Sequence, residues 1–389
     1  MPQVSIVIPT YNHVRYVGDA IESALTQTFN DFEVIVVDDG STDATPAVLE
    51  RYGERIVAVR QENAGLSAAR NHGFALARGE QILFLDADDL IPPCKLAVQT
   101  TYLKEHPELG LTYSAWQHID ADGRHVVREV HPRREGAVLR ALLLREFFPA
   151  VGSVLVRRRC IEEVGPFDPA LRAAEDVDLW MRIARAGYRF GYQDDVLFSY
   201  RDTPGSMSRN LANQLHYELR RLDKFFAQRE LQAGIAALRG TAEAAVYFEY
   251  AARWMAADEI GSAQHCFAAA LAAGPDLVAD EEWLIGWLSG SVVGWSADRQ
   301  EAIVCALVEM LPGTATRRES LLRRALGRAH ADAVFGAYET GGGVGGLDGD
   351  WRHVLPALIG EPRLLSNLGF WKAALSVLVG TARTGGGAR

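Results

Sequence analysis

Nothing in this 389-residue chain approaches the ~20 unbroken apolar residues of a membrane-spanning helix. Positive charge is scarce too: 40 Lys and Arg stand against 50 Asp and Glu, a formal net charge of −10. Following a nucleic-acid backbone requires clustered Lys and Arg, so nucleic acid is not an expected partner. There are only four cysteines, Cys94, Cys160, Cys266 and Cys305. They are too scattered for a disulfide framework or a metal-ligand set and read as reduced thiols. The opening residues, MPQVSIVIPTYN, lack the basic-then-apolar order of a secretory signal. The location expected from these absences is the cytoplasm. No G-x-G-x-x-G follows the first apolar run, which argues against a dinucleotide enzyme. No lysine precedes Lys95, which argues against a P-loop NTPase and against a nucleotidyltransferase with an N-terminal glycine-rich phosphate loop.

What is present is a foldable core: apolar residues make up 48% of the chain and charged residues 23%. The length calls for two domains. The first half alternates short β-rich runs with helical stretches. Strands are expected at Val4 to Pro9, Glu33 to Asp38, Ile56 to Arg60, Gln81 to Leu85, Leu109 to Ser114 and Val151 to Val156. Helices are expected at Tyr16 to Thr26, Thr45 to Arg51, Leu66 to Arg78, Pro92 to His106 and Glu175 to Ala186. Near-continuous apolar strands with helices between them predict an α/β fold with a mostly parallel, Rossmann-like sheet covered on both faces. Ligands of such sheets sit beyond the carboxyl ends of the strands. Asp120 to Gly123 reads as a hairpin turn.

Beyond about residue 210 the β-branched runs vanish and Ala, Leu and Arg dominate, so an all-α domain is expected over 211–389. Ala263, Phe267, Ala270 and Pro275 have the spacing of one tetratricopeptide-type helix hairpin, without a clean second copy. Residues 340–350 read as a glycine linker and 383–389 as a frayed tail. The apolar segment 364–379 fits a core helix, an oligomer contact or an interfacial anchor.

Three acidic clusters follow strands or open a helix. Asp38-Asp39-Gly40-Ser41-Thr42-Asp43 follows the second strand, where Thr42 or Asp43 would cap a helix. Asp39, at the end of a buried strand, is suited to accept the imide N–H of a pyrimidine. Asp86-Ala87-Asp88-Asp89 follows the fourth strand. Three carboxylates within four residues repel one another, and a hard divalent cation, Mn²⁺ or Mg²⁺, is the simplest offset. Glu175-Asp176-Val177-Asp178-Leu179-Trp180 opens a helix, where acids also favour the dipole. Pro9, Thr10 and Tyr11 end the first strand. Asn63 follows the third strand, and Arg70 lies one turn into the next helix, near the end that favours phosphate.

VSIVIPTYN, VVDDGSTD, NAGLSAARNHG, ILFLDADD and EDVDLWMRI, in this order over about residues 3–210, resemble glycosyltransferase family 2 with the GT-A fold. The resemblance implies an inverting transferase that uses a nucleotide-diphosphate sugar. Pro9, Thr10, Tyr11 and Asp39 would hold the nucleoside. Asn63, Arg70, Asp86 and Ala87 would lie along the donor, and Asp88 would bind the metal. Asp176 would be the general base with Glu175 beside it. Trp180, Trp116 and His118 are candidates for the acceptor side. His13, His72 and His131 read as surface or structural groups. The loop from Arg201 to Ser208 would lie where relatives carry a lid; it has no histidine, and His216 is a poor substitute. The expected partners are a nucleotide-sugar donor, UDP-linked by preference, and a glycan, lipid-linked or protein acceptor. The helical half would dimerise the enzyme, hold an acceptor carrier or lie on the inner face of a membrane. The competing reading is a retired GT-A domain serving as a scaffold.

Overall fold

The computed structural model describes residues 1–203, 206, 209–290, 297–339 and 357. The expected linker at 340–350, the apolar segment 364–379, the tail and four residues of the 201–208 loop lie outside the described residues.

Two compact units divide the chain, Met1–Arg239 and Gly240–Arg389. The first is built on an eight-stranded sheet in the order β3-β2-β1-β4-β7-β5-β6, with β8 against β5. Its strands are β1 (Val4–Thr10), β2 (Phe32–Asp38), β3 (Val57–Arg60), β4 (Gln81–Phe84), β5 (Leu109–Ile119), β6 (Val126–Val130), β7 (Val154–Arg157) and β8 (Arg189–Arg201). β3, β2, β1 and β4 run parallel, β7 turns antiparallel between β4 and β5, and β8 is again parallel to β5. The helices of this unit are α1 (Val17–Leu25), α2 (Thr45–Glu50), α3 (Leu66–Leu76), α4 (Lys95–Glu105), α5 (Leu139–Leu143), α6 (Arg158–Val164), α7 (Glu175–Arg185), α8 (Leu211–Phe226) and the single turn α9 (Ala233–Ala236).

Val4, Ile6 and Ile8 of β1 pack with Val34 and Val36 of β2 and with Val17, Ala20, Ile21 and Ala24 of α1 in one fully enclosed cluster. α3 lies close against the other face. A Cβ on Gly73 would stand 2.3 Å from Val7 Cγ1, so only glycine allows the helix this approach. The pattern-based strands and helices are present with small shifts at their ends. β3 is an exception in burial: Val57 and Ala58 are exposed, because the strand forms the sheet edge. The largest feature absent from the sequence reading is β8. Its exposed centre, Asp194 and Asp195, interrupts the apolar run that marks the other strands, and its pairing with β5 shifts register there. The Asp120–Gly123 turn forms as expected, with the Gly123 amide donating to the Asp120 carbonyl at 2.9 Å.

The break expected at residue 210 lies inside the first unit, because buried charge holds α8 to α7 and to Arg145, which follows α5. Arg221 contacts Met181, Lys224 reaches Asp178 at 3.0 Å, and Glu218 pairs with Arg145 at 2.7 Å. The second unit is helical where described: α10 (Arg239–Ala256), α11 (Ile260–Ala273), α12 (Pro275–Ala279), α13 (Glu281–Gly290), α14 (Ala297–Glu309) and α15 (Ala315–Glu339). Ala263, Phe267 and Ala270 form the buried face of α11, and Pro275 opens α12. Phe248 of α10 meets Phe267, Trp283 and Trp287 in an aromatic knot. Among the described residues no helix is long and apolar enough to cross a membrane.

Lys95 is an anomaly in the first unit. It is wholly buried, and among the described residues its Nζ donates only to the Ser153 carbonyl, at 3.1 Å, an oxygen that Gln99 Nε2 also reaches at 2.9 Å. Burial pushes its pKa well below the ordinary lysine value. The unfolded chain therefore binds a proton that the folded chain resists, and stability must fall as pH drops from the unfolded lysine pKa. Lys95→Met should raise stability at pH 7 by ~1–3 kcal/mol. Its advantage over wild type should shrink as pH rises toward 10 in denaturant titrations.

Candidate active site

The parallel strands end along one edge, and the acidic clusters gather beyond it. β1 ends in Thr10, which is buried and whose hydroxyl has no hydrogen-bond partner among the described residues. Tyr11 follows at 44% exposure, a large aromatic face open to solvent. Asn12 adopts a left-handed conformation, with φ 56°. Its Oδ1 accepts from the Thr42 amide at 2.7 Å, and its own amide donates to Ser41 Oγ at 2.9 Å, which fastens the first strand's end to the second's. Asp43 caps locally, accepting the Thr45 amide at 2.9 Å. Asp38 is buried, with Oδ1 taking the Ser41 amide and the Arg60 guanidinium 3.5 Å away.

Asp39 is also buried, and its carboxylate organises the loop after β3. Oδ1 accepts from Gln61 Nε2 at 2.7 Å and from the Ala64 amide at 2.9 Å; Oδ2 accepts from the Gly65 amide at 2.8 Å. Gly40 allows the close approach this needs, since a Cβ there would lie 2.9 Å from the Asn63 nitrogen. The Asn63 side chain lies on the exposed part of the loop. Pro9 is enclosed within β1, and Ala87 is enclosed between the acids that flank it.

Arg70 on α3 joins the other two clusters. It is 1% exposed, yet donates to Asp86 Oδ1 at 2.7 Å and to Glu175 Oε1 at 2.6 Å. Burial opposes its charge, but Asp86 and Glu175 more than offset that and raise its pKa. Its guanidinium also lies 5.2 Å from the centre of the Phe167 ring. The same helix braces the segment leading to α7. Asn71 exchanges two hydrogen bonds with the Phe167 backbone, and Ser67 donates to the Leu171 carbonyl. Arg70 was expected to face a phosphate; the structure commits two of its nitrogens to carboxylates.

Asp88 is partly buried and accepts from Thr203 Oγ1 at 3.2 Å. Burial and the Asp86 charge raise its pKa. Asp89 is fully buried and accepts the Arg201 amide at 2.9 Å, so it serves the frame. Arg201 was not anticipated, because most of its partners are remote in sequence and two are backbone carbonyls. Its guanidinium donates to the Asp88 carbonyl at 2.7 Å, the Ala121 carbonyl at 3.3 Å and Asp19 Oδ2 at 3.1 Å.

Asp176 follows Glu175 at the start of α7, just after Ala174, which adopts a left-handed φ of 57°. Burial, then the Glu175 charge, raises its pKa to about 7, against the opposing pull of Arg70. Asp178 belongs to the frame, paired with Arg182 at 2.8 Å and with Lys224. Two acceptor-side expectations need correction. Trp180 is 0% exposed, since it shares the inward face of α7 with Val177 and Met181. Trp116 is likewise in the core, and the aromatic ring exposed near it is Phe148, 6.2 Å away between ring centres. His118 is partly exposed, with Nε2 3.0 Å from Arg128 and Nδ1 3.2 Å from Asp202. Burial and the Arg128 charge lower its pKa, so the neutral ring accepts from Arg128 and donates to Asp202.

Asp86 and Asp88, two residues apart after β4, both supply hard carboxylate oxygens. One oxygen of Asp86 is held by Arg70 and one of Asp88 by Thr203; the second oxygen of each has no partner among the described residues. Among the described residues no three His, Cys, Asp or Glu side chains converge to hold an ion. This donor set fits a divalent cation whose remaining ligands are phosphate oxygens and water.

A sequence profile of glycosyl transferase family 2 matches residues 5–165. An uncharacterized glycosyltransferase of Rickettsia typhi is 32% identical over 221 residues, covering 55% of this chain and 68% of that protein. The chain spans 28% and 36% of longer relatives from Rickettsia bellii and Rickettsia felis. Among solved structures, Staphylococcus aureus TarS 1–349 in complex with UDP-GlcNAc superposes with a TM-score of 0.50 at 20% identity, over 88% of this chain and 92% of that one. The mannosyltransferase PcManGT from Pyrobaculum calidifontis, in complex with GDP-Man and Mn²⁺, gives 0.51 at 21% identity, over 79% and 87%. These likenesses agree with a GT-A fold, and with the relatives' identity and coverage they show that the chain belongs to glycosyltransferase family 2.

Proposed function

We propose that the first unit transfers a sugar, with inversion, from a nucleotide-diphosphate donor to an acceptor hydroxyl, in polysaccharide, lipopolysaccharide or glycoconjugate assembly. The observation that carries this reading is the union of three carboxylate groups beyond one sheet edge. Asp39 stands at the end of β2, Asp86 and Asp88 follow β4, and Asp176 opens α7, with Arg70 binding the last two groups together. TarS with UDP-GlcNAc and PcManGT with GDP-Man and Mn²⁺ are solved with donors of this class.

In this reading Tyr11 lies against the base, and Asp39 accepts its N–H. The buried Thr10 hydroxyl, without a partner among the described residues, gains one from the nucleoside. Asp88, with Asp86, would hold Mn²⁺ or Mg²⁺, which supplies charge compensation for the diphosphate. Arg70 holds Asp86 and Glu175 in place. Asp176 accepts the proton of the acceptor hydroxyl as its oxygen bonds to the anomeric carbon. The bond from that carbon to the diphosphate oxygen breaks on the opposite face, so the configuration inverts. A carboxylate with its pKa near neutrality suits this task, being substantially ionised at neutral pH yet basic enough to take a proton. A UDP-linked donor is preferred. The helical unit is free to serve acceptor binding, dimerisation or contact with a membrane surface.

Asp88→Ala should weaken Mn²⁺-dependent binding of UDP by ~100-fold or more in calorimetric titrations. Undiminished binding would remove Asp88 from the site, and no binding of any nucleotide diphosphate by wild type would favour a retired domain acting as a scaffold.

The pH dependence offers a second check. Asp176 must be ionised to act, so kcat/KM for transfer should climb with pH through about 7. Glu175→Gln removes the adjacent like charge, so this acidic limb should move to lower pH. Asp176→Asn should lower kcat by ~10²–10⁴-fold while leaving UDP affinity unchanged.

A further inference from the structure

The Asp39 carboxylate has little hydrogen-bonding capacity left. Two carboxylate oxygens offer about four acceptor positions in all. Gln61 Nε2 and the Ala64 amide occupy both positions on Oδ1, and the Gly65 amide occupies one on Oδ2. One position remains.

Gln61 is itself held in orientation. A carboxylate only accepts, so the group 2.7 Å from Asp39 must be the amide NH₂ of Gln61. Its Oε1 then faces His72 Nδ1 at 2.7 Å, and that nitrogen must carry the proton. His72 sits on α3, two residues after Arg70. The order His72 to Gln61 to Asp39 is therefore a one-way chain of donors. A flipped Gln61 would set two acceptors against each other at Asp39 and leave the His72 N–H unpaired.

Bases differ in what they present to such a group. The imide edge of uracil or thymine has one N–H between two carbonyls and needs one acceptor position. Guanine presents N1–H and the 2-amino N–H side by side and pairs best with two free carboxylate oxygens. Adenine and cytosine place an unprotonated ring nitrogen beside their amino group, which would meet a carboxylate oxygen unfavourably.

We propose that Gln61 and His72 set the donor's base: by filling Oδ1 of Asp39 they leave one acceptor position and so select an imide-bearing pyrimidine over guanine. This rests on the donor-site reading given above. Gln61 touches the carboxylate, and His72 is a positioning residue acting through Gln61.

The test is the ratio of affinities for UDP, dTDP and GDP, measured by calorimetry with Mn²⁺ on the full chain. Wild type should bind UDP or dTDP at least ~10-fold more tightly than GDP, the scale of one lost bond to a charged group. The UDP and dTDP arms separate uridine from thymidine as the source of the imide. Gln61→Leu frees a position on Oδ1 and should narrow the pyrimidine-to-GDP ratio by ~10-fold. His72→Phe should narrow it in the same direction. His72→Asn, whose amide nitrogen can take the place of Nδ1, should restore it. A general loosening of the fold would weaken all three nucleotides together and leave the ratio unmoved. Wild type that binds GDP as well as UDP and dTDP, or a ratio unchanged in Gln61→Leu, overturns the proposal while leaving the transferase reading intact. Failure of every nucleotide to bind defeats both.

Discussion

One buried guanidinium carries much of this architecture. Arg70 is drawn out of water between Asp86, beyond β4, and Glu175, at the start of α7, two points that sequence separates widely. Desolvating such a charge is costly, and its two carboxylates repay that cost only while both remain in place. The helix that carries it approaches the sheet closely at Gly73, and neighbouring Ser67 and Asn71 grip the backbone that leads into α7. The spacing between Asp86 and Glu175 is thereby set by a rigid helix. Loops alone could not hold it to the tolerance that chemistry requires.

Hydrogen bonding separates acidic residues committed to the frame from those with an oxygen left open. Asp38, Asp43 and Asp178 spend their oxygens on neighbouring amides or cations within the frame, and the fully buried Asp89 accepts the Arg201 amide. Asp86 and Asp88 each keep an oxygen without a protein partner among the described residues. Asp176 has its pKa raised to about 7, first by burial and then by the charge of Glu175 beside it at the start of α7.

The sequence made the parallel half of the sheet legible, because fully enclosed strands such as Val4–Thr10 must be apolar throughout. It also marked the acidic clusters, since carboxylates directly after such strands are conspicuous. β8 was hidden because its polar centre breaks the pattern and its partner lies some eighty residues earlier. Trp180 was ambiguous because α7 buries residues on more than one face, and helical spacing alone does not say which neighbours enclose an aromatic. Arg201 was silent for another reason: two of its guanidinium's three partners are main-chain oxygens, which leave no complementary residue type to find, and the third, Asp19, is 182 residues away. The same is true of Asp39, two of whose three donors are backbone amides. Motif reading identified the carboxylate but not how much of it was already engaged.

Hairpin turns at a sheet edge ordinarily absorb changes in length without harm. The turn between β5 and β6 is denied that freedom, because the Ala121 carbonyl in it is bound by Arg201, whose other nitrogens hold the Asp88 carbonyl and Asp19. An inserted residue would pull one end of this tie and disturb the chain beside Asp88. Relatives that retain the arginine should therefore keep this turn's length, while those that vary it should have replaced the arginine as well. The evolution of a peripheral turn is in this way coupled to a single interior side chain.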